Sequence, residues 1–220
     1  RAITMIRSTT NVKLIGLHCH VADDCITGWK KRAESIIHII MKYSLVHLKY
    51  IDLGSGMAIR DYYSKLPLNC DDIRTYKRYA IAALRPFVKF YSGAREKPTI
   101  FTEPGTLLIR NNMDFIVKGI CIKEVDNQQF VIVDGSIHHL GNEAYLDYKP
   151  IQTVNSGVHK PKPLTNAIIS GNTCIDSDYL YTGFSGELAE GDYLIFGDVG
   201  AYSVVKKPPF IHLNAGMISM

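Results

Sequence analysis

Three short stretches of this sequence carry residue types that could do chemistry. The first is GLHCHVADD at 16–24, where His18 and His20 flank Cys19 directly after an apolar run. The second is Gly54-Ser55-Gly56, which closes LKYIDL, and the third is Glu103-Pro104-Gly105, which closes PTIFT. Side chains alternate along a strand, so His18 and His20 share one face and Cys19 takes the other. The HCH triplet therefore offers two histidines together rather than three ligands. A His-x-His pair at a strand end can bind a metal, but such a site needs further histidines on later strands. The next two strand ends offer Asp52 and Glu103 instead, so no metal is expected. Satisfied packing histidines are a second reading. The third is a shelf for a flat cofactor, on which an imidazole stacks while glycines let backbone N–H groups approach a phosphate and a carboxylate holds a ring-nitrogen proton.

These stretches need elements to carry them. Residues 12–19 (VKLIGLHC) read as a buried strand, and residues 29–47 place Ile36, Ile37, Ile40, Met41 and Leu45 on one helical stripe. Residues 48–53 read as strand again. A second helix is expected from Asp72 to Leu84, with Asp71 as its N-cap and Pro86 kinking or restarting it. A third strand follows at 98–102. This alternation implies parallel strands with crossover helices. Three such strands leave unpaired edges, so residues 1–111 read as the last part of a (β/α)8 TIM-like barrel whose other strands come from elsewhere. In such a barrel the chemistry lies at the C-terminal strand ends, where the three stretches fall.

After about residue 112 the rhythm changes. DFIVKGICIKEVDNQQFVIVDGS reads as two strands joined by a turn at Asp126-Asn127, and NAIISGN, DYLIFGDVGAY and VVKKPPFIHL read as further short strands. Residues 112–220 are thus expected to form an antiparallel β-rich C-terminal domain, giving an α/β plus β chain. Lys160-Pro161-Lys162-Pro163 reads as a local loop, His138-His139 as surface or loop residues, and Lys206-Lys207-Pro208-Pro209 as a solvated edge blocked by prolines.

Bulk properties narrow the function classes. With 46% hydrophobic and 21% charged residues, 220 residues can build a sizeable core. The net charge is +4, and the 25 lysines and arginines are scattered without a basic stripe, which argues against nucleic acid. No signal peptide is expected, and the sequence has no apolar run near the roughly 18–20 residues that cross a bilayer. Five cysteines without paired spacing or a CxxC suit reduced thiols in a cytoplasm and argue against structural zinc. The 13 tyrosines suit packing or an interface more than chemistry.

Taken together and in order, HVAD, IDLGSGM, EPGT, GNTCIDSD and FGDVGAY resemble the second half of the pyridoxal-phosphate decarboxylases of the alanine-racemase-like barrel type, the ornithine and diaminopimelate decarboxylase family. The resemblance covers nearly the whole chain. It implies pyridoxal 5'-phosphate as cofactor, with His20 stacking on its ring, Gly54, Ser55 and Gly56 lining its phosphate, Glu103 at its pyridine nitrogen and Tyr202 giving a hydroxyl to the phosphate. It implies that Cys174 crosses a homodimer interface and supplies a proton after carbon dioxide leaves, a task suited to a thiol of tunable pKa. Asp176 and Asp178 are the implied contacts to an amino-acid substrate. It further implies a cytoplasmic enzyme of amino-acid metabolism whose cofactor-linked lysine lies in a first barrel half, on the same or an accompanying chain.

The sequence departs from that family pattern at three places. Asp23 stands where a serine is expected, Thr106 where an arginine would meet the phosphate, and Ile175 where an acid follows the cysteine. Arg110 or Arg60 could restore the lost cation. Two alternatives stay open beside the decarboxylase: an amino-acid racemase or epimerase on the same barrel, and a non-catalytic homologue that binds a partner.

Overall fold

Trp29, Ala33, Ile36 and Ile40 recur every three or four residues, and they set the face on which the first long helix packs. The structure is a computed structural model that describes residues 1–21, 25–57, 73–141, 151–207, 210–211 and 213–219. It divides into two units, Arg1–Leu108 and Ile109–Met220.

In the first unit the order is α1 (Ala2–Arg7), β1 (Gly16–His18), α2 (Ile26–Lys42), β2 (Tyr50–Asp52), α3 (Ile73–Phe90) and β3 (Thr99–Phe101), with α4 (Thr106–Ile109) leading out of it. The strands pair in parallel in the order β1-β2-β3, with Leu17 beside Ile51 and Ile51 beside Ile100. Both long helices pack against that apolar row, and Trp29 meets Tyr79 edge-on at 5.9 Å between ring centroids. The other row, His18, Asp52 and Phe101, lies on the opposite face of the sheet.

Several local expectations change. Helix α2 begins at Ile26, earlier than expected, where the thiol of Cys25 caps it by accepting from the Gly28 N–H at 3.2 Å. Met41 stands about a quarter-turn from Ile40 and is 59% exposed, so it lies outside the buried stripe. Helix α3 runs through Pro86 without a break. Pro86 forfeits one ladder bond, but Tyr79, Ala83, Phe87 and Tyr91 stay buried on both sides of it and hold the helix down. The expected N-cap, Asp71, lies outside the described residues.

The second unit is a six-stranded sheet in the order β6-β9-β4-β5-β7-β8, made of β4 (Phe115–Val125), β5 (Gln128–Val133), β6 (Ile151–Val154), β7 (Lys162–Ser170), β8 (Tyr179–Leu188) and β9 (Tyr193–Phe196). The β4–β5 hairpin turns at Asp126 and Asn127, both left-handed at φ 49° and 63°, as a two-residue turn with right-handed strand twist requires. The other neighbouring strands are antiparallel, but β5 and β7 pair in parallel. The chain from β5 visits the far edge as β6 before returning as β7, and that detour reverses the expected direction of pairing. Pro163 belongs to β7, opposite Glu187, at a level where β7 pairs only with β8 and no second ladder bond is lost. Where the strand expected over VVKKPPFIHL would begin, the chain forms a short helix α5 (Ser203–Lys206), started by Tyr202 at φ 62° and closed by the Lys206 N–H on the Tyr202 carbonyl at 2.9 Å.

A buried carboxylate ties the loops at one end of this sheet. Asp192, 2% exposed, accepts from the Ser156 and Ala189 N–H groups at 2.8 Å each and from the Ser156 hydroxyl at 3.1 Å. Burial pushes its pKa up, but those donors and the nearby His159 outweigh burial and hold it below the ordinary carboxylate value. A depressed pKa means that the stabilisation is complete above the unfolded-chain value of about 4 and is lost as pH falls through the folded value. Urea unfolding of Asp192→Asn should therefore show a deficit against wild type at pH 7 that narrows at pH 3; an equal deficit at both would contradict the assignment.

Candidate functional site

At the C-terminal end of the parallel sheet the ladder continues past the strands themselves. Cys19 N–H donates to the Asp52 carbonyl at 2.9 Å, Leu53 N–H to that of Phe101 at 3.0 Å, and Glu103 N–H to that of Gly54 at 2.8 Å. These bonds place the HCH, GSG and EPG loops side by side. His18 and His20 do share a face, and both converge on one carboxylate: His18 Nε2 lies 3.9 Å from Glu103 Oε1, and His20 Nδ1 3.9 Å from Glu103 Oε2. The three polar heads are about half exposed, while Cys19 packs against the apolar core on the other side.

Gly54 is what lets the loops meet. Its backbone is left-handed at φ 68°, and a β-carbon there would stand 2.8 Å from the β-carbon of His20. Asp52 Oδ1 accepts from the Gly54 N–H at 2.9 Å, and His20 Nδ1 accepts from the Ser55 N–H at 3.1 Å. That second bond orients the imidazole and leaves the proton of the neutral ring on Nε2.

Two residues that sequence reasoning passed over lie beneath these loops. Arg32, 3% exposed, donates through Nη1 to the carbonyls of Leu53 at 3.1 Å and Ser55 at 2.6 Å, and through Nη2 to that of Val21 at 2.5 Å. Its guanidinium lies 4.6 Å from the Trp29 ring centroid, and the Trp29 indole N–H donates to the Gly56 carbonyl at 3.0 Å. The signal available in the sequence was an arginine on the apolar stripe of an amphipathic helix.

His18, His20 and Glu103 could together hold a metal, since their ligand atoms lie within 4.8 Å of one another.

Cys174, Asp176, Asp178 and Tyr202 belong to the second unit. Cys174 and Asp176 are exposed on the loop between β7 and β8, and Tyr202 is 41% exposed with Lys206 Nζ 4.5 Å from its ring centroid. Asp178 points the other way. It is 2% exposed, and its carboxylate accepts from the Ser136 hydroxyl at 2.9 Å, the Ile137 N–H at 2.8 Å, the Thr173 hydroxyl at 2.6 Å and the Thr173 N–H at 3.3 Å. Gly171 makes room for it, since a β-carbon there would lie 2.2 Å from Asp178 Oδ2. The geometry makes Asp178 a support of the cysteine loop and not a group free to meet a substrate, which corrects the expectation. Half-buried His139 is likewise structural, its Nδ1 accepting from the Ser136 N–H at 3.1 Å in a capping box, while the His138 ring lies against Phe210 at 4.8 Å between centroids. Asp23 and Arg60 lie outside the described residues, and nothing is described of the Thr106 and Arg110 side chains.

Residues 19–200 match the family described as pyridoxal-dependent decarboxylase, C-terminal sheet domain. The chain belongs to this family. It is 27% identical to a diaminopimelate decarboxylase of Methanocaldococcus jannaschii over 93% of its own length and 45% of the relative's. A diaminopimelate decarboxylase of Buchnera aphidicola is also 27% identical, over 92% of this chain and 50% of that one, so the chain spans about half the length of these relatives. Among solved structures it resembles the M. jannaschii diaminopimelate decarboxylase (TM-score 0.75, 24% identity, 94% of this chain and 46% of that chain). It also resembles a lysine decarboxylase of Selenomonas ruminantium (TM-score 0.71, 20% identity, 97% of this chain and 55% of that chain). At those identities the structural likenesses establish the fold: the last part of the β/α barrel and the sheet domain that follows.

Two substitutions probe this geometry. Gly54→Ala forces a β-carbon into a left-handed position against His20 and should cost about 1–3 kcal/mol in thermal unfolding. Asp178→Ala orphans buried donors around the cysteine loop and should cost about 3 kcal/mol. A change within about 0.5 kcal/mol for Asp178→Ala would mean that the loop stands without that carboxylate.

Proposed function

We propose that this chain forms the second half of a pyridoxal-phosphate-dependent amino-acid decarboxylase that works as a homodimer. The observation that carries the reading is the convergence of His20 and Glu103, from two different strand ends, at 3.9 Å beside the Gly54 loop. The residues present fit the cofactor's chemistry: one half-exposed imidazole, one half-exposed carboxylate and a glycine loop offering backbone groups, side by side. When bound, the cofactor supplies an electron sink that makes loss of carbon dioxide from an amino acid feasible.

The protein's residues then divide the work. His20, its ring fixed by the Ser55 N–H, stacks on the cofactor ring. Glu103 holds a proton at the pyridine nitrogen, and keeping that nitrogen positive maintains the sink. Gly54, Ser55 and Gly56 line the phosphate, with the Tyr202 hydroxyl as a further donor. Cys174, exposed on a loop braced by Asp178, reaches the site of a second protomer and gives a proton to the carbon that has lost carbon dioxide. Asp176, exposed on the same loop, reads the distal group of the amino acid in place of the acid that Ile175 replaces.

The three-stranded parallel sheet also supports a first barrel half on the same or an accompanying chain. Among the described residues, β1 and β3 end the sheet with one neighbour each, and Tyr50 and Phe101, ring centroids 5.8 Å apart, are 43% and 46% exposed on the face away from α2 and α3. Such edges and such a face call for further strands.

The residue at 175 favours one competing reading, a partner-binding homologue without turnover. Release of carbon dioxide from amino acids by the complete protein separates the two. Cys174→Ala should lower that release about a hundred-fold or more while cofactor binding persists, and Glu103→Ala should lower both. Full activity in both variants would sink the decarboxylase assignment, and no turnover by the wild type with cofactor bound would favour the partner-binding reading.

A further inference from the structure

The phosphate-lining role of Gly54, Ser55 and Gly56 leaves a gap, because Thr106 stands where the family pattern has a phosphate-facing arginine. We propose that Arg32, acting from beneath through the backbone, is the positioning residue that makes this loop a binding site for a phosphate monoester. The inference rests on the cofactor reading above and deepens it.

No peptide bond of the described residues is cis, and in a trans peptide the carbonyl and the following N–H point in opposite directions. Arg32 Nη1 holds the Ser55 carbonyl at 2.6 Å, and the Trp29 indole holds the Gly56 carbonyl at 3.0 Å. With both carbonyls drawn toward α2, the N–H groups of Gly56 and Met57 are turned away from it, as a pair of adjacent donors. Gly56 reaches this arrangement with a left-handed φ of 92°. Successive N–H groups turned to one side form the concavity that binds phosphate oxygens.

The charge acts through the same peptide. A guanidinium bonded to a carbonyl polarises that peptide and strengthens the donor at its other end. Arg32 therefore needs no direct contact with the phosphate to raise its affinity. The third bond, from Nη2 to the Val21 carbonyl at 2.5 Å, anchors the guanidinium plane against a second loop and so fixes the direction from which it holds the Ser55 carbonyl. Lysine cannot replace it, because one ammonium on a flexible stem does not present the planar fork that reaches both loops.

The test uses the complete enzyme stripped of cofactor, titrated with pyridoxal 5'-phosphate and separately with pyridoxal, which lacks the phosphate, and followed by absorbance. Arg32→Lys and Arg32→Gln should weaken the phosphorylated ligand about ten-fold or more while changing pyridoxal by less than about two-fold. Trp29→Phe, which keeps a ring but removes the donor to Gly56, should weaken the phosphorylated ligand in the same selective way, and it decides the matter if the Arg32 variants do not fold. Equal weakening of both ligands, or unchanged affinity for pyridoxal 5'-phosphate, overturns the positioning role while leaving the cofactor reading intact. A wild-type enzyme that binds neither ligand overturns the cofactor reading and this inference with it.

Discussion

The open end of the parallel sheet depends on one close approach. The backbone of Gly54 comes so near His20 that no β-carbon fits between them, and the Ser55 N–H then reaches the imidazole. With that contact in place the loop after the second strand and the loop after the first form one surface. The third loop joins through the bond from Glu103 N–H to the Gly54 carbonyl. A side chain at position 54 would separate the histidine from the loop that orients it, so the glycine is a condition for the site as well as for the turn.

Carboxylates buried in the second unit serve a comparable purpose at the other end of the chain. Asp178 gathers hydroxyl and backbone donors from two segments, Ser136-Ile137 and Thr173, and so fixes the loop that carries Cys174. Asp192 gathers donors at Ser156 and Ala189. In both cases a short acid does what a longer chain of backbone pairing does elsewhere: it gives buried N–H groups a partner where loops cannot form a ladder. The exposed groups, Cys174 and Asp176, stand on that rigid support.

Much of the first unit was legible because its signals are local. Apolar spacing marks α2 and α3, and short apolar runs closed by glycine or proline mark the strand ends. The ordered loops with His20, Gly54 and Glu103 follow from those ends, and the Asp126-Asn127 hairpin announces itself in two residues. Most of the less legible features depend on distant partners. Whether Asp178 faces a substrate or the interior is decided by Ser136 and Thr173, and nothing around position 178 encodes that choice. The parallel pairing of β5 with β7 is decided by where β6 goes. Arg32 looks like a polar interruption of an apolar stripe until the carbonyls of residues more than ten positions away are seen to surround it. Cys25 was unreadable as a cap because a thiol is a weak acceptor and an uncommon choice there.

The proposed function makes this chain one half of a pyridoxal-phosphate site. The most direct measurement is intact-mass spectrometry, under denaturing conditions, of the native protein incubated with pyridoxal phosphate and reduced with borohydride. The account predicts one covalently trapped cofactor per site, on a lysine of the first barrel half, whether that half lies on the same chain or an accompanying one. Protein that comes through reduction unmodified would contradict it.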